Sequence, residues 1–186
     1  PVLLVTGGSL GAKSLNEFVS AFISEHAPAV RDLGWQVLHQ AGGDQGASLE
    51  AVYNRAGIDA VVVPLLDPMG LAWGAAELAI CRAGSGTVAE VAVNGVAAAF
   101  MPYPYHRDQH QAHNAEPLVK SGGSLLWDDH ADTTVNLASH ASSLLRLMEA
   151  VDTRESLRAS LHGFRSDLPT GGASRVAAAM REQSEA

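Results

Sequence analysis

Short runs of consecutive apolar residues recur along this chain, and turn-forming residues follow closely after each of them. Runs without polar alternation are typical of strands buried on both faces, as in a parallel sheet covered by helices on each side. The pattern predicts six such strands, at Val2–Thr6, Trp35–Gln40, Ala60–Val63, Leu78–Cys81, Ala97–Met101 and Ser124–Trp127.

Helix-like stretches separate these strands, at about 11–25, 47–56, 87–94 and 109–120, and only helices follow the last strand, at about 133–150, 153–164 and 173–182. This alternation predicts an α/β fold with a doubly wound, Rossmann-like parallel sheet of about six strands. We expect residues 1–165 to form one domain and residues 166–186 a C-terminal helix that packs on it or toward a missing half. Because the chain opens directly with a buried strand, we also expect it to be a fragment of a longer protein.

Composition narrows the classes of function. The chain has 186 residues, 47% of them hydrophobic, with a net charge of −8 and 12 scattered basic residues, which argues against a nucleic-acid partner. The single cysteine, Cys81, ends an apolar run, so we expect a buried, inert thiol and a reducing compartment. Since no apolar run approaches about 20 residues and no basic lead precedes the first one, we expect no membrane span, no signal peptide and a cytoplasmic location.

Two glycine-rich turns lie where a strand gives way to a helix, namely Gly7-Gly8-Ser9-Leu10-Gly11 and Arg82-Ala83-Gly84-Ser85-Gly86-Thr87. At such a corner, glycines let the backbone approach an anion, and the unpaired N–H groups of the helix start point at it. Two such turns in one domain predict a diphosphate ligand, and therefore nucleotide or nucleotide-sugar binding.

The first turn is open to other interpretations. It approaches the phosphate-loop pattern, with Lys13 and Ser14 in register, but Ala12 replaces the second glycine and Arg82 stands where a Mg²⁺-binding aspartate would end a strand. It also lacks the third glycine of a dinucleotide fingerprint, and the second strand ends at His39-Gln40 rather than at an acidic residue; we expect only a structural role for that pair. A tight turn without a ligand is the remaining alternative.

The second turn is followed by Glu90, three residues after Thr87. Thr87 and Glu90 could form a capping box that satisfies backbone donors at the helix start. Alternatively, the carboxylate of Glu90 could accept both vicinal hydroxyls of a ribose, with the neighbouring N–H groups facing phosphates. Both interpretations fit the spacing.

A third polar cluster, residues 106–114, follows the fifth strand, where a ligand crevice of an open sheet is expected. His106, His110 and His113 have a spacing that could share a helix face and bind a metal. The amides of Gln111 and Asn114 fit neutral sugar hydroxyls, because they both donate and accept hydrogen bonds. A solvated helix start is the alternative without a ligand.

Three stretches, GGSLGAKSLN, CRAGSGTVAEVAVNGVAAAFMPYP and RDQHQAHNA, resemble in this order the C-terminal, donor-binding half of glycosyltransferase family 28. This family, within the GT-B glycosyltransferases, includes the lipid-linked N-acetylglucosaminyltransferases of bacterial peptidoglycan synthesis. The resemblance covers about residues 2–127. The chain departs from it at Leu10, where the family often has Gln, whereas His110 is within the family's range.

The resemblance implies residue roles in a site for UDP-GlcNAc. Ser9 would contact the diphosphate, and Leu66 would pair with uracil through its backbone. Glu90 would bind the ribose hydroxyls, while Gln111 and Asn114, beside His110, would bind the GlcNAc hydroxyls. The second turn would hold the phosphates through Gly84, Ser85, Gly86 and Thr87.

The implied reaction is direct displacement with inversion at the anomeric carbon, the leaving UDP being stabilised by N–H groups and helix dipoles; no cofactor or metal is implied, and the chain has no Asp-x-Asp motif. The acceptor would be undecaprenyl-diphospho-muramoyl-pentapeptide. Its site, the catalytic base and the surface that faces the inner side of the membrane would lie in an N-terminal half, so this chain alone would bind donor without transfer. Two alternatives are another GT-B enzyme, such as a diacylglycerol glycosyltransferase, and a stand-alone UDP-sugar-binding subunit that needs a partner chain.

Overall fold

The structure is a computed structural model that describes residues 1–8, 11–105, 108–166 and 171–184. Its centre is a six-stranded sheet in which every neighbouring pair is parallel, in the order β3-β2-β1-β4-β5-β6. The doubly wound α/β prediction is therefore confirmed. The strands are β1 Val2–Thr6, β2 Gln36–Gln40, β3 Ala60–Val63, β4 Leu78–Cys81, β5 Ala97–Phe100 and β6 Ser124–Leu126.

The helices occupy the predicted places, with one addition. The added helix is α3, which lies between β3 and β4 and was not predicted. The helices are α1 Lys13–Asp32, α2 Gly46–Ala56, α3 Met69–Ala75, α4 Ser85–Asn94, α5 His110–Lys120, α6 Thr133–Glu149, α7 Val151–Ser166 and α8 Gly172–Ser184.

Helix α1 runs beyond the end predicted for it at Glu25. The backbone leaves helical geometry at His26, with φ −108° and ψ 16°, and resumes the helix through Pro28 to Asp32. Proline cannot donate to the carbonyl four residues earlier and its ring crowds that carbonyl, so a kink just before Pro28 is the expected result. The prediction ended the helix where the structure only bends it.

Side chains of successive strand residues enter two separate apolar layers. Leu3 and Val5 of β1 pack with Phe18 and Phe22 of α1 on one face of the sheet, whereas Leu4 packs with Trp73 of α3 on the other. Burial on both faces explains why the strands are apolar at consecutive positions. The polar residues proposed for a site therefore lie in or near the loops at the carboxyl ends of the strands.

The C-terminal helix α8 exposes Val176 and Met180, one turn apart. Within the described ranges, none of the helices combines the length and apolar character that crossing a lipid bilayer requires.

Candidate functional site

The crevice lies where the sheet order reverses. From β1 the chain moves to β2 on one side, and it later returns to β4 on the other side of β1. The loops that leave the carboxyl ends of β1 and β4 therefore diverge, and in open α/β sheets ligands bind in the gap between such loops. These two loops are the two glycine-rich turns.

The first turn is tightly closed by backbone contacts. The N–H of Gly11 donates to the carbonyl of Gly8 at 2.9 Å, and Gly11 has a φ of +74°. A Cβ on Gly11 would lie 2.3 Å from the carbonyl oxygen of Ala41, so glycine is required there by both conformation and space. Ser9 lies outside the described residues, and its contact with a diphosphate stays a prediction.

The second turn leads directly into α4. Gly84 is the N-cap residue, and Ser85, Gly86 and Thr87 form the first helical turn. Thr87 is thus inside the helix, and the predicted capping box with Thr87 as N-cap is wrong. Among the described residues no side chain caps this helix start, so the N–H groups of its first turn have no side-chain partner at the positive end of the helix dipole.

Glu90 has a partner that the sequence did not indicate. The indole Nε1 of Trp73, on α3, donates to Glu90 Oε2 at 3.0 Å. Trp73 is buried and Glu90 is half-buried, so the bond fixes the carboxylate against α3. The same carboxylate adds to burial in raising the pKa of the Cys81 thiol, which is consistent with an inert cysteine.

Gln40 lies at the end of β2, beside Thr6 of β1 and Val63 of β3. Its Nε2 donates to the carbonyl of Gly8 at 2.7 Å, and its Oε1 accepts from the N–H of Leu66 at 3.1 Å. Leu66 is therefore held toward the first turn by the side chain of Gln40.

Helix α5 carries the predicted sugar-binding amides, and both are oriented by backbone groups. Gln111 Oε1 accepts from the N–H of Tyr103 at 2.9 Å, and Asn114 Nδ2 donates to the carbonyl of Ala83 at 3.1 Å. Asn114 is thereby tied to the second turn. His110 contacts Asp108 through Nδ1 at 2.9 Å.

A buried ion pair underlies the crevice. Arg82, directly after β4, donates through one guanidinium nitrogen to Asp129 at 2.8 Å and through the other to Ser14 on α1, also at 2.8 Å. Burial opposes ionisation of Asp129, but hydrogen bonds from Ser14, Asn136, the backbone of Ala131 and Arg82 outweigh it and hold the pKa of Asp129 below its usual value. The pair ties α1, β4 and the loop after β6 together.

A cavity of about 680 Å³ opens above this ion pair, at the carboxyl edge of the sheet. Its walls come from the first turn, the start of α1, and the loop after β5. They include Gly7, Lys13, Arg82, Tyr103 and Gln111. Such a volume accommodates a small organic ligand.

The structure does not test whether His106, His110 and His113 could bind a metal together, because His106 lies outside the described residues. In the part of the chain that the structure describes, His, Cys, Asp and Glu side chains form no group of three or more that could hold a metal ion.

Solved glycosyltransferases share this fold at 17% to 21% sequence identity. They include the kitacinnamycin glycosyltransferase, with a TM-score of 0.58, and UGT2 of Phytolacca americana, solved in complex with UDP-2fluoro-glucose and pterostilbene, with a TM-score of 0.66. The chain has the α/β fold of a GT-B glycosyltransferase domain. Residues 2–164 match the model of the glycosyltransferase family 28 C-terminal domain, and the chain belongs to this family.

Relatives extend the match over most of the chain. The chain is 44% identical over 144 residues to the UDP-N-acetylglucosamine–N-acetylmuramyl-(pentapeptide) pyrophosphoryl-undecaprenol N-acetylglucosamine transferase of Verminephrobacter eiseniae. The aligned segment covers 77% of this chain and 39% of the relative. The protein of the same name from Ectopseudomonas mendocina is 39% identical over 152 residues, which covers 82% and 42%. The crystal structure of Acinetobacter baumannii MurG matches with a TM-score of 0.77 and 31% identity over 97% of this chain and 52% of that one.

These matches confirm the predicted family. They also show that the chain spans about two fifths of the length of the curated relatives and about half of the solved structure.

Proposed function

We propose that the chain is the donor-binding half of an inverting glycosyltransferase, which transfers GlcNAc from UDP-GlcNAc to undecaprenyl-diphospho-muramoyl-pentapeptide in peptidoglycan synthesis. One observation carries the proposal: two glycine-rich turns follow neighbouring strands at the switch point of the sheet, with the carboxylate of Glu90 fixed one helical turn beyond the second of them. The names of the relatives, which describe this transfer, support it.

We assign a complementary group of the chain to each part of the donor. The N–H groups at the starts of α1 and α4 would bind the diphosphate, because a helix N-terminus carries partial positive charge. The carboxylate of Glu90 would accept the ribose hydroxyls, and the backbone of Leu66 would pair with the base. Gln111 and Asn114 each use one amide atom to contact the backbone, so the other, Nε2 of Gln111 and Oδ1 of Asn114, would bind sugar hydroxyls.

The chain's share of the chemistry is to hold the leaving group. As the bond from the anomeric carbon to UDP breaks, negative charge grows on the diphosphate, and fixed N–H dipoles stabilise that charge without reorganising. We place the catalytic base, the acceptor site and the membrane-facing surface in another half of the full-length enzyme, which would act at the cytoplasmic face of the membrane. Residues 166–186 would pack on the donor domain or toward that half.

The test is a calorimetric titration of the chain with UDP-GlcNAc, UDP-glucose, UDP and ATP, with and without Mg²⁺, at matched salt. We expect UDP and UDP-GlcNAc to bind without metal, UDP-glucose to bind more weakly, and ATP not to bind. Binding of ATP that depends on Mg²⁺, without binding of UDP, would contradict the proposal.

A further inference from the structure

Trp73 lies on α3, the short helix between β3 and β4, and its ring belongs to the apolar layer that also contains Leu4 and Cys81 of the sheet. The side chain is 2% exposed, so its single polar atom, the indole Nε1, requires a partner within the protein. That partner is Oε2 of Glu90 on α4, at 3.0 Å. A buried ring of the core therefore makes its one polar bond to the residue proposed to bind a ribose.

The carboxylate of Glu90 is held at one oxygen and left open at the other. Among the described residues, Trp73 is the only side chain that donates to it, and no basic side chain forms an ion pair with it. Oε1 does not belong to the buried side-chain atoms that lack a partner, so it is accessible to solvent. A carboxylate oxygen can accept two hydrogen bonds, so Oε2 also keeps one open acceptor position.

The helix on which Glu90 lies does not orient the carboxylate. In a capping box the glutamate would bond back to the start of its own helix, but the N-cap of α4 is Gly84 and no described side chain caps this end. A glutamate without such a bond can adopt several staggered rotamers. The bond from Trp73 selects one of them before a ligand arrives, and a group fixed in advance loses less entropy on binding.

A vicinal diol is the ligand group for which this orientation matters most. The 2′ and 3′ hydroxyls of a ribose each donate one hydrogen bond, and a carboxylate can accept both only when it faces them together. A rotated carboxylate would keep one of these bonds at most. A 2′-deoxyribose offers a single hydroxyl, so its binding should depend little on how the carboxylate is turned.

We infer that Trp73 is a positioning residue, whose indole N–H orients the carboxylate of Glu90 so that the site distinguishes a ribonucleotide from a 2′-deoxyribonucleotide. This inference rests on the proposed function, which assigns the ribose hydroxyls to Glu90. Trp73 itself touches no part of the nucleotide in this role. It also gives a purpose to α3, the helix that the sequence did not predict.

The experiment compares the affinities of UDP and 2′-deoxy-UDP for the chain by calorimetry in the wild type, Trp73→Phe and Glu90→Ala. Phenylalanine keeps an aromatic ring in the apolar layer but has no N–H for the carboxylate. Alanine removes the carboxylate itself and sets the ratio of affinities expected without a contact to the diol. Trp35→Phe is the matched control, because Trp35 is 3% exposed and its Nε1 donates to the carbonyl of Met148 at 3.2 Å, in the layer on the opposite face of the sheet.

We expect the wild type to bind UDP about tenfold more tightly than 2′-deoxy-UDP, and Glu90→Ala to bind the two nearly equally. Trp73→Phe should reduce the ratio about threefold or more, mainly by weakening UDP, whereas Trp35→Phe should keep it. A residue that only stabilises the fold would lower both affinities alike, so the ratio separates the two roles. If Trp73→Phe does not fold, benzothienylalanine at this position, which has the shape of tryptophan with sulfur in place of the N–H, carries the same expectation.

An unchanged ratio in folded Trp73→Phe, or in the benzothienylalanine variant, would overturn the inference and leave the proposed function standing. An equal loss of the ratio in Trp35→Phe would also overturn it, because any cavity in the core would then have this effect. A wild type that binds both nucleotides equally would remove the ribose contact and the inference with it. A wild type that binds neither nucleotide would overturn the proposed function as well.

Discussion

The two glycine-rich turns follow neighbouring strands of one sheet, but their glycines meet different surroundings. In the first turn, a Cβ on Gly7 would lie 2.4 Å from the Cβ of Ala12, and one on Gly11 would lie 2.3 Å from the carbonyl oxygen of Ala41. In the second, a Cβ on Gly86 would meet nothing within 4 Å, and one on Gly84 would only reach Thr87 Oγ1 at 4.0 Å.

The same residue type therefore answers two different needs. In the first turn glycine is required by the protein itself, because the chain packs against its own backbone. In the second turn no described part of the chain requires it, and the open space is available to a ligand. The comparison predicts that substitutions in the first turn cost stability, whereas substitutions in the second cost binding.

The largest effect is expected from Gly11→Ala. A φ of +74° is unfavourable for alanine by about 1 to 2 kcal/mol, and the clash with Ala41 adds about 1 to 3 kcal/mol. We expect the free energy of unfolding, measured with urea, to fall by about 3 kcal/mol or more. The matched control is Gly34→Ala, which has a similar φ of +71° but open space, and should cost only about 1 to 2 kcal/mol. Equal losses at the two sites would show that the close approach in the first turn is not important.

Low pH should destabilise the hydrogen-bonded segment at Ala41, against which the first turn packs. His39 is buried, and its Nε2–H donates to Asn16, which in turn donates to the carbonyl of Ala41. Burial lowers the pKa of His39 from 6.5 to about 4. In the unfolded chain His39 therefore becomes protonated below about pH 6.5, whereas in the folded chain it becomes protonated only near pH 4. The free energy of unfolding should fall by about 3 kcal/mol over this range.

The measurement is urea unfolding at several pH values between 7 and 4. His39→Gln cannot titrate and should show a smaller pH dependence, whereas His162→Gln, at an exposed position on α7, should behave like the wild type. A pH dependence unaffected by His39→Gln would assign the acid sensitivity to other groups.

At the second turn, Glu90→Gln should weaken binding with little change in stability. The amide oxygen still accepts the hydrogen bond from Trp73, but the charge that strengthens hydrogen bonds from a ribose diol is lost. We expect a loss of about 1 to 3 kcal/mol in the binding of UDP, measured by calorimetry. Glu50→Gln, on the exposed face of α2, is the control and should bind UDP as the wild type does. Unchanged affinity in Glu90→Gln would rule out a charged contact with the ribose.

The smallest effect on stability is expected from Gly86→Ala. Its sign is informative, because the free energy of unfolding should rise while the affinity for UDP falls. Gly86 lies in the first turn of α4, and alanine in a helix should raise the free energy of unfolding by about 0.5 to 1 kcal/mol. The affinity for UDP should fall several-fold, because the added methyl group occupies ligand space. Gly163→Ala in α7, which also has open space, should give the same gain in stability without the loss of affinity. Retained affinity in Gly86→Ala would mean that this space does not hold the diphosphate.

The sequence predicted the strands to within one residue at each end, because burial on both faces leaves an uninterrupted apolar run. Helix α3 escaped prediction. It spans seven residues after Pro68, and neither an acidic first turn nor a capping side chain marks its start. The sequence placed the start of α4 at Thr87, because Thr87 and Glu90 have capping-box spacing. In the structure the helix starts at Ser85, and Gly84 is its N-cap residue.

The sequence predicted candidate site residues, which stay predictions, and it did not indicate the partners that the structure gives them. Gln40 and Leu66 are 26 residues apart, and Arg82 and Asp129 are 47 residues apart; such contacts follow from the register of the strands. The only signal was a polar pair, His39-Gln40, at the end of an apolar strand. A strand end that is buried and still polar indicates hydrogen-bonded neighbours, although it does not identify them.

Because Trp73 donates a hydrogen bond to Glu90, the fluorescence emission of Trp73 also reports on this carboxylate. The other two tryptophans, Trp35 and Trp127, belong to the apolar layer on the opposite face of the sheet. An indole that donates directly to a carboxylate changes its emission when that carboxylate takes a new partner. The chain therefore contains its own spectroscopic probe of whether the carboxylate of Glu90 is occupied, without any added label.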